Sequence, residues 1–433
     1  MQFSFLTRGV ICGLAILAGF LLALAPVAAS AGGAVDASSL DHKLILGYQG
    51  WFACPGDPAT GGHWVHWFDG TAPTVDLLPA IDELTVAERC ATALKTPAGA
   101  PVFVYSAQNP ATVDRHFQWL RHYGLDGVAL QRFGVALREP QARTLIDRVL
   151  ANVQAAAVAN GRIFFVMYDL SGLADDDLGV IAADWHRLAA DGLTASPAYA
   201  RHRGRPVLAL WGLGFPDRPI TPGGAAMLLA ALRRESAAFG GVTLLGGVPA
   251  GWRTHDFDAS HDPGWDAVYH QFDIISPWAV GRYGDDRGAA LFAATRIAPD
   301  IVALRGTGID YMPVIFPGFS WHHLMDARHA PGPHPLNAIP RRCGWFFWHQ
   351  VYNAVHAGAG MLHGAMFDEV DEGTALFKLA PDAAATAPGF LTLDADGCRL
   401  PEDWYLRLSS AAAGALRGAA PLTTDLPLTL PPP

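Results

Sequence analysis

The 433-residue chain is 51% hydrophobic and only 16% charged, which excludes a disordered chain and leaves length for a large core. A formal net charge of −10 provides no basic stripe to meet phosphates and argues against a nucleic-acid partner. Thirteen Trp and ten Tyr supply flat aromatic faces, which fill cores and also stack on the apolar faces of sugar rings.

In chain order, residues 1–31 read as a signal peptide. Arg8 gives a basic start, Val10 to Leu24 an apolar core, and Ala29-Ser30-Ala31 a small-residue cleavage pattern. Pro26 and the small residues after it favour cleavage over an uncleaved anchor. The expectation is a secreted or periplasmic protein without stable membrane insertion, since no later apolar run is long enough to span a bilayer. Cys54, Cys90, Cys343 and Cys398 then remain, as two disulfides in any of three connectivities or as free buried thiols.

Short apolar runs follow at 44–48, 127–131, 163–169, 206–211, 242–247, 272–277, 311–316 and 361–367. Runs of this kind suit parallel strands buried on both faces. Amphipathic stretches such as Val113 to Tyr123 and Ala225 to Phe239 lie between them. Alternating strands and helices predict a (β/α)₈ TIM barrel with long βα loops over residues 32–418. A further run, Val102 to Ser106, makes a ninth strand and leaves the register open. A doubly wound open sheet is the competing architecture, but Gly212-Leu213-Gly214 runs into Phe215-Pro216 and makes a poor phosphate loop. Glu402 to Leu416 reads as a terminal helix, and 419–433 as a flexible Pro-rich tail.

Barrel function sits on loops after the strands, and polar and aromatic residues gather there. Tyr48, Trp51, Trp64, His66 and Trp67 follow the first strand, Arg132 the second, Asp169 the third and Trp211 the fourth. Trp278, Arg282 and Tyr283 follow the sixth, and Trp321 the seventh. All are candidate substrate contacts. His63 and His66, or His322 and His323, lack a third ligand, so no metal and no cofactor is expected.

After the last run the chain reads Asp368-Glu369-Val370-Asp371-Glu372-Gly373-Thr374. Glu369 and Glu372, three apart, can share one face at about 5–6 Å. Crowding two carboxyl groups raises one pKa and sets an acid beside a base, the pairing that glycoside hydrolysis needs. They are the candidate catalytic residues, with Asp368 as a further site residue.

The Glu369–Thr374 stretch resembles the E-W-H-E-G-T segment of glycoside hydrolase family 99, the endo-α-mannosidases, and its sister family 71. Gly344 to Trp348, Pro313 to Phe319 and the Gly47–Trp51 stretch are similar to other segments of that group, and bacterial secreted proteins of the 71/99-like group are nearer still. The resemblance implies a (β/α)₈ barrel cleaving an α-linked glycan with retention. It implies that Glu369 deprotonates the sugar's 2-hydroxyl, giving a 1,2-anhydro intermediate, while Glu372 protonates the leaving oxygen and then activates water. Val370 and Asp371 stand where that family has Trp and His, which puts a mannose preference in doubt. The expected partner is an oligo- or polysaccharide, and the expected state a monomer. A non-catalytic carbohydrate-binding barrel, and a polysaccharide lyase using Arg132 or Arg282, are the alternatives.

Overall fold

The computed structural model describes residues 33–432, so the expected export segment lies outside the described residues. The fold is mixed α/β, built on a curled sheet of parallel strands. These are β1 (Leu44–Tyr48), β2 (Gly127–Phe133), β3 (Ile163–Asp169), β4 (Arg205–Trp211), β5 (Thr243–Val248), β6 (Ile274–Pro277), β7 (Asp310–Tyr311), β8 (Val314–Ile315) and β9 (Leu362–Gly364). Their order across the sheet is β7-β6-β5-β4-β3-β2-β1-β9-β8. Every expected parallel run contributes a strand. Their unbroken apolarity has its cause in burial on both faces: all of β1, β3 and β5 is shielded from solvent.

The seventh run is divided. Pro313 has no N–H to give a neighbour, so the ladder breaks between β7 and β8. Backbone bonds continue on both sides of the break. Met312 N–H donates to the Ile275 carbonyl (2.9 Å), and His363 N–H to the Pro313 carbonyl (3.0 Å). The surplus run at 102–106 is not in this sheet. Pro101–Val104 pairs antiparallel with Cys90–Lys95 as a separate hairpin.

Ten helices surround the sheet among the described residues. They are α1 (Pro110–His122), α2 (Pro140–Asn160), α3 (Gly179–Ala190), α4 (Pro222–Ser236), α5 (Gly264–Tyr269), α6 (Asp286–Phe292), α7 (Ala298–Leu304), α8 (His322–Ala327), α9 (Trp345–His356) and α10 (Trp404–Leu416). Asn109 caps α1 through Ala111 N–H (3.0 Å) and Thr221 caps α4 through Gly224 N–H (3.1 Å), each followed by Pro at the first helical position.

Of the three possible disulfide pairings, the chain adopts Cys54–Cys90 and Cys343–Cys398. The first ties the loop after β1 to the hairpin. The second ties the segment before α9 to the segment before α10. No helix among the described residues is long and apolar enough to cross a membrane. Trp348 Nε1 donates to the Thr423 carbonyl (3.0 Å), and Leu422, Leu426, Leu428 and Leu430 lie partly buried against the core.

Candidate active site

Strand parity decides which side chains meet. Successive strand residues point to opposite faces, so residues in register share a face. Phe133, Asp169, Trp211 and Gly247 are successive register partners across β2, β3, β4 and β5. Phe133, Asp169 and Trp211 line a cavity of about 760 Å³ at the ends of the strands. Gly247 makes room for Trp211, because a Cβ there would come within 2.6 Å of the indole. Gln49, Gln108, Gln131, Trp51, His66 and Trp278 join the lining, as do Glu369, Asp371 and Glu372. Glu369 and Glu372 therefore face one cavity.

The turn carrying them is held from several sides. Asp368 is fully buried and accepts from the backbone N–H groups of Gln49 (2.7 Å) and Gly50 (2.9 Å), locking the turn to the end of β1. Burial raises its pKa to about 7 against the pull of those two bonds. Gly373 takes a φ of +66°, and Ser320 packs where its Cβ would be. Ser320 N–H donates to the Glu372 carbonyl (2.9 Å). Buried Arg341 donates to the carbonyls of Gly373 and Ala375, both at 2.8 Å, while its guanidinium lies 4.6 Å from the Tyr405 ring centre. Asp76 braces the far side, accepting from His322 N–H (2.7 Å), His323 N–H (2.8 Å) and the Ser320 hydroxyl. Although burial opposes it, the bonds from His323 and Ser320 keep Asp76 below the usual carboxylate pKa.

Glu369 receives donors on both oxygens, the Gln49 side-chain amide on one and the Thr374 hydroxyl on the other. Burial raises its pKa well above normal, and the charges of Glu372 and Asp371 push the same way. Glu372 is half-buried. Its pKa rises to about 7, chiefly by burial, with Asp371 adding and the Arg328 charge subtracting. The two glutamates titrate as a unit that retains a proton into the neutral range.

Asp371 Oδ2 lies 3.2 Å from His66 Nδ1, and Oδ1 is buried with no hydrogen-bond partner among the described residues. The His66 ring stacks on Trp51 (3.9 Å, 6°), and Trp51 stacks on Phe133 (5.1 Å, 25°). His66 holds this place with a left-handed φ of 61°, a strained conformation for a residue with a side chain. Both faces of Trp51 are thus covered. Its edge meets the cavity.

Of the sequence candidates, Trp51, His66, Asp169, Trp211, Trp278, Glu369 and Glu372 line the cavity. The other candidates lie elsewhere, for physical reasons. Tyr48 points outward, fully buried, with its hydroxyl 2.9 Å from His116 Nδ1 on α1. Trp67 is buried in the core and donates to the Tyr105 carbonyl (2.8 Å). Arg132, next to Gln131, points away from the cavity and forms a bidentate pair with Asp184 of α3 (2.6 and 2.9 Å). Arg282 pairs with Asp258 (2.6 Å), and the Tyr283 hydroxyl donates to Gln350 (2.9 Å). Trp64 packs on Phe68, and Trp321 on Phe319 and His334. Asp368 supports the turn from beneath the cavity.

Sequence reasoning missed Gln49, Gln108, Gln131, Asp371, Arg218 and Arg328 as lining residues. Gln49 sits one position after the candidate Tyr48 and Gln131 one position before the candidate Arg132, so correct parity would have found them. Among the described residues, no group of His, Cys, Asp or Glu is arranged to hold a metal. His323 pairs with Asp76 (2.7 Å), and His322 Nδ1 lies 2.7 Å from the His334 carbonyl.

No protein-family model matches the sequence, and no curated protein matches it. The fold has clear likenesses. Two solved structures of the family 99 endo-α-mannosidase from Bacteroides thetaiotaomicron, one of them in complex with bis-tris-propane, superpose with TM-scores of 0.61 and 0.59. Each match covers 88% of this chain and 99% of the mannosidase, at 15% identity. The chain shares the fold of that glycoside hydrolase across nearly its whole length.

Proposed function

We propose that this protein is an exported glycoside hydrolase that cleaves an α-linked glycan with retention, using Glu369 and Glu372 as its reacting carboxyl pair. One observation carries the reading: residues whose buried polar atoms have no partner among the described residues line the cavity that holds this pair. The acceptors are Oε1 of Gln49, Gln108 and Gln131 and Oδ1 of Asp371; the donors are Nε1 of Trp51 and Trp211 and Nε of Arg218. A buried polar atom without a partner costs about 1–3 kcal/mol. Sugar hydroxyls, each both donor and acceptor, match that mixture.

In this reading Glu372 is the acid/base. A pKa of about 7 lets it give a proton to the leaving oxygen and take one from water near neutrality. Glu369, oriented by Gln49 and Thr374, acts as the base towards the neighbouring hydroxyl. The Glu372 charge helps raise the Glu369 pKa, as neighbouring carboxyl groups do, and retention uses a closely spaced pair. We also read residues 310–315 as one extended seventh strand that bonds to β6 on one side and β9 on the other, closing an eight-stranded barrel. Export agrees with the two disulfides, which persist in oxidising compartments.

The test is a panel of α-linked oligo- and polysaccharides, scored for new reducing ends, with the first-formed anomer read by NMR. Release of the α-anomer first is expected. Unsaturated ends would mark a lyase, and binding with no cleavage on any substrate would leave a carbohydrate-binding protein.

A further inference from the structure

In this acidic chain most arginines sit on carboxylates, as Arg132, Arg205, Arg253 and Arg282 do. The two that line the cavity do not. Among the described residues Arg218 comes within ion-pair distance of the exposed Asp217 alone, at 3.7 Å, its charge also acts on Asp169 in the same lining, and its buried Nε has no hydrogen-bond partner. Its guanidinium lies 5.4 Å from the ring centre of Trp211, whose own Nε1 is also unpartnered. Arg328, at the C-terminal end of α8, is exposed and makes no ion pair among the described residues. These residues reach the cavity from distant strands, Arg218 after β4 and Arg328 after β8.

Of the carboxyl groups in the lining, Asp169, Glu369 and Glu372 hold their protons more tightly than usual because they are buried, although the Arg218 charge draws Asp169, and the Arg328 charge Glu372, the other way. Asp371 is already turned to His66. A planar guanidinium lying against an aromatic ring in the cavity wall is suited to a carboxylate or sulfate oxygen.

We propose that the glycan is anionic, a saccharide bearing a carboxylate or sulfate substituent that docks on Arg218 beside Trp211, with Arg328 contributing positive charge from elsewhere in the lining. This rests on the glycosidase reading and specifies its substrate class. Arg218 is a specificity-determining residue in it.

The experiment compares matched pairs on the full-length protein: α-linked polyuronates with their carboxyl-reduced forms, and sulfated α-glycans with their desulfated forms. The acidic member of one pair should be cleaved with a kcat/KM about tenfold or more above its neutral partner, and the preference should shrink with added salt. The pair that shows it identifies the anionic group. Arg218→Gln should narrow the ratio, and Arg218→Lys, which keeps charge without the fork, should narrow it less. Circular dichroism reports whether each variant folds, and loss of fold in Arg218→Gln leaves the substrate ratio and Arg218→Lys as the deciding readouts. Equal cleavage of both members overturns the proposal and leaves the hydrolase intact. If nothing is cleaved, affinity electrophoresis through the same polymers decides. Retardation by the acidic member alone supports an anionic ligand and sinks the hydrolase reading, whereas equal or absent retardation overturns both.

Discussion

At the scale of single residues, the assigned roles separate Glu369 from Glu372 experimentally. Glu→Gln at either position should lower turnover by about 10²–10⁴-fold while leaving the fold intact. Because the two act as a unit, the double variant should lose far less than the product of the single losses. A substrate with an activated leaving group needs little protonation and should partly rescue the first step in Glu372→Gln but not in Glu369→Gln. Equal rescue would overturn the roles. The pH profile follows from the same residue. Glu372 must carry a proton when the leaving group departs, so kcat/KM should fall as pH rises through about 7. Removing the Asp371 charge, which helps raise that pKa, should move this alkaline limb to lower pH in Asp371→Asn. An unmoved limb would show that the profile reports another group.

At the scale of elements, strand positions were legible in the sequence because doubly buried strands need continuous apolar runs. The facing of each strand was not. An unbroken apolar run carries no alternation, so nothing in Tyr48-Gln49 or Gln131-Arg132 says which member turns inward. The tyrosine and arginine were the more eye-catching residues, and both serve the helix side, against His116 and Asp184. Arg218 and Arg328 come from irregular loops, where no periodicity exists to place them. The acid-bearing turn was legible as a cluster, but its supports were scattered through the chain. Asp368→Ala would leave two buried N–H groups, of Gln49 and Gly50, without an acceptor. We expect a loss of about 2–4 kcal/mol in denaturant unfolding. Arg341→Leu should free the carbonyls of Gly373 and Ala375 and lower kcat more than it raises KM, since the turn it steadies carries the reacting carboxyls. A pure KM effect would place Arg341 in binding instead.

For the whole molecule, the buried acids set how stability varies with pH. Asp368 and Glu372 titrate near 7 when folded, against 3.8 and 4.5 as ordinary carboxyls. Between those limits these two acids bind more protons folded than unfolded, so their contribution to stability falls as pH rises from about 4 to about 7, while buried His116 and His363, lowered to about 3 and about 4, contribute in the opposite direction. Removing one acid in Glu372→Gln should therefore make Tm fall less, or climb more, across that range than in the unaltered protein. An unchanged Tm profile in that variant would contradict the shifted acid. Reduction should cost stability too. Loops of 36 and 55 residues are closed by the two disulfides, each contributing about 4 kcal/mol in the chain-entropy account.

The second of those bridges has a topological meaning. Glu369 and Glu372 both lie inside the covalent loop that Cys343 and Cys398 close, as does the exposed stretch from Asp382 to Ala385. A protease that cuts in this stretch would produce two chains and one molecule. The nicked protein should migrate intact on a gel without reductant and as two fragments with it, and the acid-bearing turn would remain anchored through its upstream half. Hydrolytic activity surviving the cut, then vanishing on reduction, would be the signature of a site held by a clasp rather than by chain continuity.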